Sequence, residues 1–291
     1  MPDHQKGVLF HSTSLPGEQS GTLLSVTREQ AGWNTVNFAV RKLQAGQALK
    51  GDTHGEEAAF VLLGGRLSVD WGDGRKLVGE RKNVFSSYPS AVYLPKETKF
   101  ELWAETPCEI ADCRVPCSTR LKARLIGHSD IRLEIRGGGN ATRQILDVIP
   151  ASFPAERLLI CEVYTPSGNW SSYPPHKHDV HNPPYEADLD EVYYYRIDDP
   201  MGYAFQRLYN DAGTHDEIVR AADGDLVVVR DGYHPVVAAY GYNVYYLNVL
   251  AGSEHSFANS DDPKYAHLRK NWPPPDPRLP LVRPNAELGF G

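Results

Sequence analysis

Apolar residues alternate with polar ones along most of the chain. In N-T-V-N-F-A-V-R-K-L (34–43), Val36, Phe38 and Val40 share one face, which predicts a strand with one side buried. A-A-F-V-L-L-G-G-R-L-S-V-D-W-G-D-G (58–74) predicts two strands separated by Gly64 and Gly65, with a hairpin turn at Asp73-Gly74. V-F-S-S-Y-P-S-A-V-Y-L-P (84–95), K-F-E-L-W-A (99–104) and C-E-I-A-D-C-R-V (108–115) predict three more. Residues 1–25 read as irregular, and no amphipathic helix competes in this half of the chain.

From Lys122 to Gly139 the chain turns polar and glycine-rich, ending R-G-G-G-N. A junction is expected there, dividing the chain into residues 1–128 and 129–291. Strand-like runs then resume: R-L-L-I-C-E-V-Y, E-V-Y-Y-Y-R-I, A-F-Q-R-L-Y, D-L-V-V-V-R, V-V-A-A-Y and N-V-Y-Y-L-N-V-L. Many short strands with turn signals between them indicate an all-β sandwich or barrel. The tail after Ser256 carries P-P-P-D-P-R-L-P, whose prolines exclude a regular element. It reads as an ordered extension or a partner-contacting arm.

With 291 residues the chain has room for one large or two ordinary domains. Its 41% hydrophobic content supplies a sizeable core, and a net charge of -7 without long runs argues against a nucleic-acid-binding face. No apolar run approaches the ~20 residues of a membrane span, and M-P-D-H-Q-K-G has no apolar signal core. A cytoplasmic protein is expected. Cys108, Cys113 and Cys117 match no zinc spacing and read as reduced thiols, with Cys161 in the core.

The densest chemistry lies between Asn169 and Arg196. His176 and His178 form an H-x-H pair, and in an extended segment residues two apart share a face. Both rings can therefore address one object, and neutral imidazole is the commonest protein metal ligand. Pro174 and Pro175 stiffen the approach. Glu191 opens the strand E-V-Y-Y-Y-R-I, and His234 follows a strand and a glycine turn in D-G-D-L-V-V-V-R-D-G-Y-H-P. A pair, an acid and a distant histidine on successive strands make a metal-site pattern. The two halves echo each other, but the first offers only His54, so one metal per chain is expected.

This pattern resembles the cupin superfamily and, more closely, the 5-deoxy-glucuronate isomerase family of myo-inositol catabolism. The resemblance is carried by G-N-W-S-S-Y-P-P-H-K-H-D (168–179), E-V-Y-Y-Y-R-I (191–197), F-Q-R-L-Y (205–209), D-G-Y-H-P-V (231–236), Y-Y-L-N-V-L-A-G (245–252) and, in the first half, V-F-S-S-Y-P-S-A-V-Y-L-P. It implies two tandem jelly-roll barrels, a bicupin, in which residues 1–128 form a degenerate domain and residues 129–291 carry the metal. The implied ligands are His176, His178, Glu191 and His234. Cupins usually place the acid about four residues past the pair, whereas twelve residues intervene here, so Glu186, Asp190 and His181 are rivals to Glu191 on spacing.

The resemblance also implies an aldose–ketose isomerisation of 5-deoxy-glucuronate to 2-deoxy-5-keto-gluconate. Other readings are a uronate ketol-isomerase of pectin breakdown, an iron cupin dioxygenase, and a non-catalytic sugar-acid binding module. Nitrogen and oxygen ligands suit zinc, taken as the first choice, and also manganese, iron or nickel. A proton transfer and a hydride shift are both open. If Glu191 faces inward, so do Tyr193 and Tyr195, as packing or as lining. Tyr193, Tyr246 and Gln206 are the candidate catalytic side chains. Arg207, Tyr185 and Tyr195 are the candidates for holding substrate, Arg207 because a guanidinium binds carboxylate bidentately. Only one of Gln206 and Arg207 can point inward. Lys177 is expected outside, and the Asp179–Asp190 loop reads as a lid. The expected partners are a small anionic sugar acid and further copies of the chain.

Overall fold

The computed structural model of the chain describes residues 8–15 and 19–285, and strands dominate it. The one α-helix among these residues, Arg28–Ala31, spans 4 residues. Thr27 and Gln30 cap it reciprocally, and Gly32 ends it in the left-handed conformation.

In the first half, strands from Gly21–Val26 to Arg124–Ile126 join in a nine-stranded network. Its centre is Glu56–Asp70, one strand of 15 residues. The sequence predicts two strands here; the glycine pair instead bends a single one. Register shifts between Leu62 and Gly64. Gly65 has φ 96°, and a Cβ there would lie 2.3 Å from the Pro107 carbonyl oxygen, so only glycine allows the kink. Before the bend the strand pairs with Ala91–Leu94 and Cys108–Pro116; after it, with Lys76–Arg81 and Lys99–Ala104. The curled sheet encloses Phe60, Leu62, Val92, Leu94, Phe100 and Leu102, an apolar filling.

In the second half the main sheet runs Arg132–Arg136, Arg143–Ile149, Leu159–Thr165, Val244–Gly252, Glu186–Ile197, Leu226–Val229. Against its inner face packs a smaller sheet ordered Trp170–Ser171, Val236–Ala238, Ala204–Tyr209, Asp216–Ala221. Strand parity decides what faces where. In Glu186–Ile197, Val192 and Tyr194 pack on the first half beside Phe38, Ala59 and Val61, while Tyr193 and Tyr195 turn into the second barrel. Both faces of this sheet are thus buried, which explains its near-continuous apolar runs.

Two buried carboxylates tie the halves together. Arg81 grips Glu162 bidentately at 2.7 and 2.8 Å, with the Tyr164 and Tyr245 hydroxyls also on Glu162. Glu57 accepts the backbone N–H groups of Glu156, Arg157 and Leu158 at 2.9, 2.7 and 2.7 Å. The Arg81 guanidinium also takes the carbonyls of Val84 and Ser87. Those groups are lost to any ladder, so the predicted strand 84–95 shrinks to Ala91–Leu94.

The polar stretch Lys122–Gly139 is not a plain linker. It holds strand Arg124–Ile126, paired in the first half, and strand Arg132–Arg136, paired in the second. Nor is the N-terminal region wholly irregular: Gly21–Val26 is a strand, and Leu9–Phe10 pairs with Leu226–Val229 across to the second half. The tail is an ordered extension lying along the second half. Ser260–Asp261 pairs with His176–Lys177, and Gln144 and Val282 exchange two hydrogen bonds. A Cβ on Gly138 would sit 2.1 Å from the Pro273 carbonyl oxygen, so the glycine run is what admits the tail.

Candidate metal centre and its cavity

His176 and His178 flank Lys177 in a segment held against Ser260–Asp261, and the alternation turns both rings inward. His234 follows the turn after Leu226–Val229. Glu191 lies directly opposite Val229 and Leu250 in the main sheet. One ligand atom from each of His176, His178 and His234 lies within 4.8 Å of the others. The Glu191 Oε2 atom stands 2.9 Å from His178 Nε2 and 3.4 Å from His234 Nε2.

The tautomers are set from behind. His178 Nδ1 lies 2.8 Å from the Leu189 carbonyl, and His234 Nδ1 lies 2.9 Å from that of Gly232. A carbonyl only accepts, so both Nδ1 atoms carry the proton and both Nε2 lone pairs aim at the cluster. His234 is fully buried, and its Nε2 has no hydrogen-bond partner. An orphaned lone pair beside a buried carboxylate is costly unless a cation lies between them. Burial pushes the His234 pKa down to about 4. It pushes His176 down as well, with His234 and His178 adding to the effect. Burial opposes charge on His178 too, but Glu191 outweighs it and the pKa rises. The donor set of three imidazoles and one carboxylate fits a divalent cation.

The rivals to Glu191 are engaged elsewhere. Glu186 binds Lys177 at 2.8 Å, Asp190 accepts from Thr35 at 2.5 Å, and His181 meets Ser253 on the surface. Lys177, expected outside, is largely buried between Asp179 and Glu186. The intervening segment is a β-hairpin rather than a free loop: Asp179–Asn182 pairs with Glu186–Ile197.

The cluster opens into a cavity of about 480 Å³, a size that accommodates a small organic molecule. Tyr193, Tyr246, Ser171, Ser172, Arg143 and Asn248 contribute polar groups to its wall. Adjacent strand residues normally face opposite ways, but Ser172 has φ 50°. That left-handed turn lets both serines serve the cavity: Ser171 bonds the Tyr246 hydroxyl, and Ser172 lies 3.2 Å from that of Tyr193. Burial raises Tyr246 to about 12 and Tyr193 well above the ordinary phenol value. Both are therefore protonated donors at neutral pH.

The other residues singled out from the sequence lie away from the cavity wall. Gln206 is buried behind the cluster, accepting from the Tyr195 hydroxyl at 2.8 Å and donating to the His234 carbonyl at 3.3 Å. Gln206 and Tyr195 thus form a support for His234. Arg207 has the opposite parity. It points outward, pairs bidentately with Asp216 at 2.8 Å and stacks on Tyr209. Tyr185 sits at the hairpin tip, 73% exposed, outside the cavity. Sequence reading missed Arg143, which lies four residues past the polar stretch that ends at Gly139. It also missed Asn248, whose signal was a lone amide inside Y-Y-L-N-V-L.

Residues 10–268 match the KduI/IolB family. A 5-deoxy-glucuronate isomerase from Geobacillus thermodenitrificans (strain NG80-2) is 43% identical over 256 residues, covering 87% of this chain and 93% of that relative. One from Bacillus subtilis (strain 168) is 37% identical, covering 82% and 90%. The crystal structure of an IolB-like protein from Salmonella typhimurium LT2 superposes with a TM-score of 0.86 at 36% identity, over 90% of this chain and 99% of that one. A Lactobacillus farciminis oxalate decarboxylase has a TM-score of 0.64 at 11% identity, over 87% and 88%. That likeness concerns the fold alone, which is the all-β cupin architecture.

Proposed function

The chain belongs to the KduI/IolB family, and from that premise we propose that it isomerises 5-deoxy-glucuronate to 2-deoxy-5-keto-gluconate in the second-half cavity. The observation that carries the reading is the convergence of three imidazole nitrogens and Glu191 at a cavity of about 480 Å³, with His176, His178 and Glu191 on its wall and His234 buried just behind them. His176, His178, Glu191 and His234 would hold a divalent cation, zinc first among those that such donors suit. When bound, that cation supplies Lewis acidity to a carbonyl and its neighbouring hydroxyl.

The protein's own groups orient the reacting end and donate hydrogen bonds to it. An aldose–ketose isomerisation moves one hydrogen from the hydroxyl-bearing carbon to the carbonyl carbon and the hydroxyl proton to the carbonyl oxygen, and negative charge gathers on oxygen meanwhile. Tyr246 and Tyr193, kept as phenols by burial, donate hydrogen bonds to such an oxygen. Ser171 and Ser172 orient those phenols. Gln206 and Tyr195 hold the His234 backbone so that its ring keeps its aim. Carbon walls from Ile145, Val163 and Leu250 exclude water from one side.

The same reading takes residues 1–128 and 129–291 as two cupin domains. The change of pairing partner between Arg124–Ile126 and Arg132–Arg136 supports that division. Four free cysteines suit the reducing cytoplasm. Among the described residues, no helix is long and apolar enough to cross a membrane.

The test combines elemental analysis of the purified protein with an isomerisation assay before and after chelation and metal return. About one divalent ion per chain and metal-dependent turnover of 5-deoxy-glucuronate are expected. Preferential turnover of the unsaturated uronate from pectin breakdown, or oxygen consumption, would overturn the substrate or the reaction class.

A further inference from the structure

Arg143 opens strand Arg143–Ile149, stands opposite Arg136 in the sheet and lines the cavity that holds the histidine cluster. Its residue is 2% exposed. Nη1 donates to two neutral backbone carbonyls, Ala141 at 3.3 Å and Tyr173 at 3.1 Å. Among the described residues, no carboxylate pairs with it, and Nε and Nη2 make no hydrogen bond.

The other arginines of this region differ. Arg81 is equally buried but gripped by Glu162, Arg136 is paired with Glu134, Arg207 with Asp216, and Arg132, also on the cavity wall, is exposed to solvent. Burying a guanidinium with no counter-ion is expensive, and burial lowers the Arg143 pKa to about 10. On the same cavity wall the Asn248 amide nitrogen is buried without an acceptor. Two polar groups therefore face the cavity with unused donors. Nη1 binds the carbonyl of Tyr173, which begins the Tyr173-Pro174-Pro175 approach to His176, so the guanidinium is fixed relative to the metal cluster.

We propose that Arg143 is the specificity-determining residue that binds the substrate's carboxylate, its free Nε–Nη2 edge meeting both carboxylate oxygens. This rests on the isomerase reading above and deepens it. The cluster faces the reacting carbonyl end of a six-carbon acid, and Arg143 takes the charged far end. The planar fork of a guanidinium matches a carboxylate bidentately, which an ammonium cannot do. The site would therefore select sugar acids over neutral sugars.

The test uses metal-loaded full-length protein, wild type against R143Q and R143K. Calorimetric binding of glucuronate, a stable carboxylate probe, is compared with binding of glucose, its neutral counterpart. Wild type should bind glucuronate, and R143Q should weaken this on the order of 100-fold, the cost of removing one partner of a buried charge pair. Glucose binding and metal content should not change. R143K retains the charge and should recover only part of the loss, and it stands in for R143Q should that variant not fold. Equal glucuronate affinity in the variants and wild type would overturn the proposal, as would wild type binding glucose as tightly as glucuronate. If wild type binds glucuronate through Arg143 but turns over no 5-deoxy-glucuronate, the carboxylate site stands and the isomerase reading falls.

Discussion

Replacing His234 with alanine separates a metal ligand from a merely buried histidine. The ring is fully buried, with its centroid 4.9 Å from those of His176 and His178 and 5.8 Å from that of Tyr193. Deleting it leaves a void costing about 2–4 kcal/mol. It also removes an unsatisfied buried nitrogen, a relief of roughly 1–3 kcal/mol. The two nearly cancel, so the metal-free variant should be at most modestly less stable than metal-free wild type. The metal response should differ far more. Loss of groups that merely support a ligand costs about 10–100-fold in affinity, so loss of a ligand should cost at least ~100-fold. At a free metal concentration ~1,000 times the wild-type Kd, wild type gains about 4.1 kcal/mol and the variant only about 1.4. That difference corresponds to roughly 5–10 °C of metal-induced shift in Tm. Thermal melts with and without zinc, together with metal content after dialysis, measure it. His181→Ala, on an exposed ring bonded to Ser253, is the control and should respond like wild type. If H234A keeps a full metal complement and a wild-type Tm shift, His234 is not a ligand.

Elemental analysis should find about one metal per chain. His54 is exposed and its ring lies 3.7 Å from Asp52, and the cluster of three metal-ligating side chains found among the described residues is His176, His178 and His234; two ions, one lost in H54A, would refute this. Tyr246→Phe should keep the metal and lower kcat by about 10- to 1,000-fold, because one preorganised donor is lost, and unchanged kcat would remove Tyr246 from the chemistry. Arg81→Met strands Glu162 fully buried between the halves and should cost about 3–5 kcal/mol in denaturant unfolding; the double variant with Glu162→Met should recover much of it, and no recovery would mean the ion pair is not the cause. The Arg278 guanidinium holds the Asp276 pKa down to about 2. A carboxylate with a depressed folded pKa stabilises above its unfolded value of about 3.9 and loses that contribution as pH falls. Docking of the tail on Asn169 and Thr142 should therefore weaken between about pH 4 and 2, read by hydrogen exchange of tail amides, and Asp276→Asn should abolish that pH dependence.

Alternation alone was enough to declare an all-β chain, because the side-chain period of a strand is a local property written directly into residue order. The H-x-H pair and His234 after a glycine turn were legible for the same reason, whereas Glu191, expected to open a strand, lies inside Glu186–Ile197 because the preceding residues also pair. Their mutual distance was not, since it depends on how three separate segments register within one barrel. Parity also indicated that Gln206 and Arg207 must face opposite ways, but not which way. Sheet packing decided that Gln206 supports His234 and Arg207 pairs with Asp216 in solvent. The glycine pair at Gly64-Gly65 looked like a break because glycine ends strands as readily as it bends them, and the pairing partners on both sides made it a bend. Arg143 was hidden by its polar neighbours. An arginine just past a glycine-rich stretch reads as surface, and only the closed barrel, with the tail laid across Gly138, buries it without a counter-ion. Local period fixes the elements and their faces. Burial, ion pairing and the direction of a charged side chain are sums over contacts distant in sequence, and only the assembled sheets determine them.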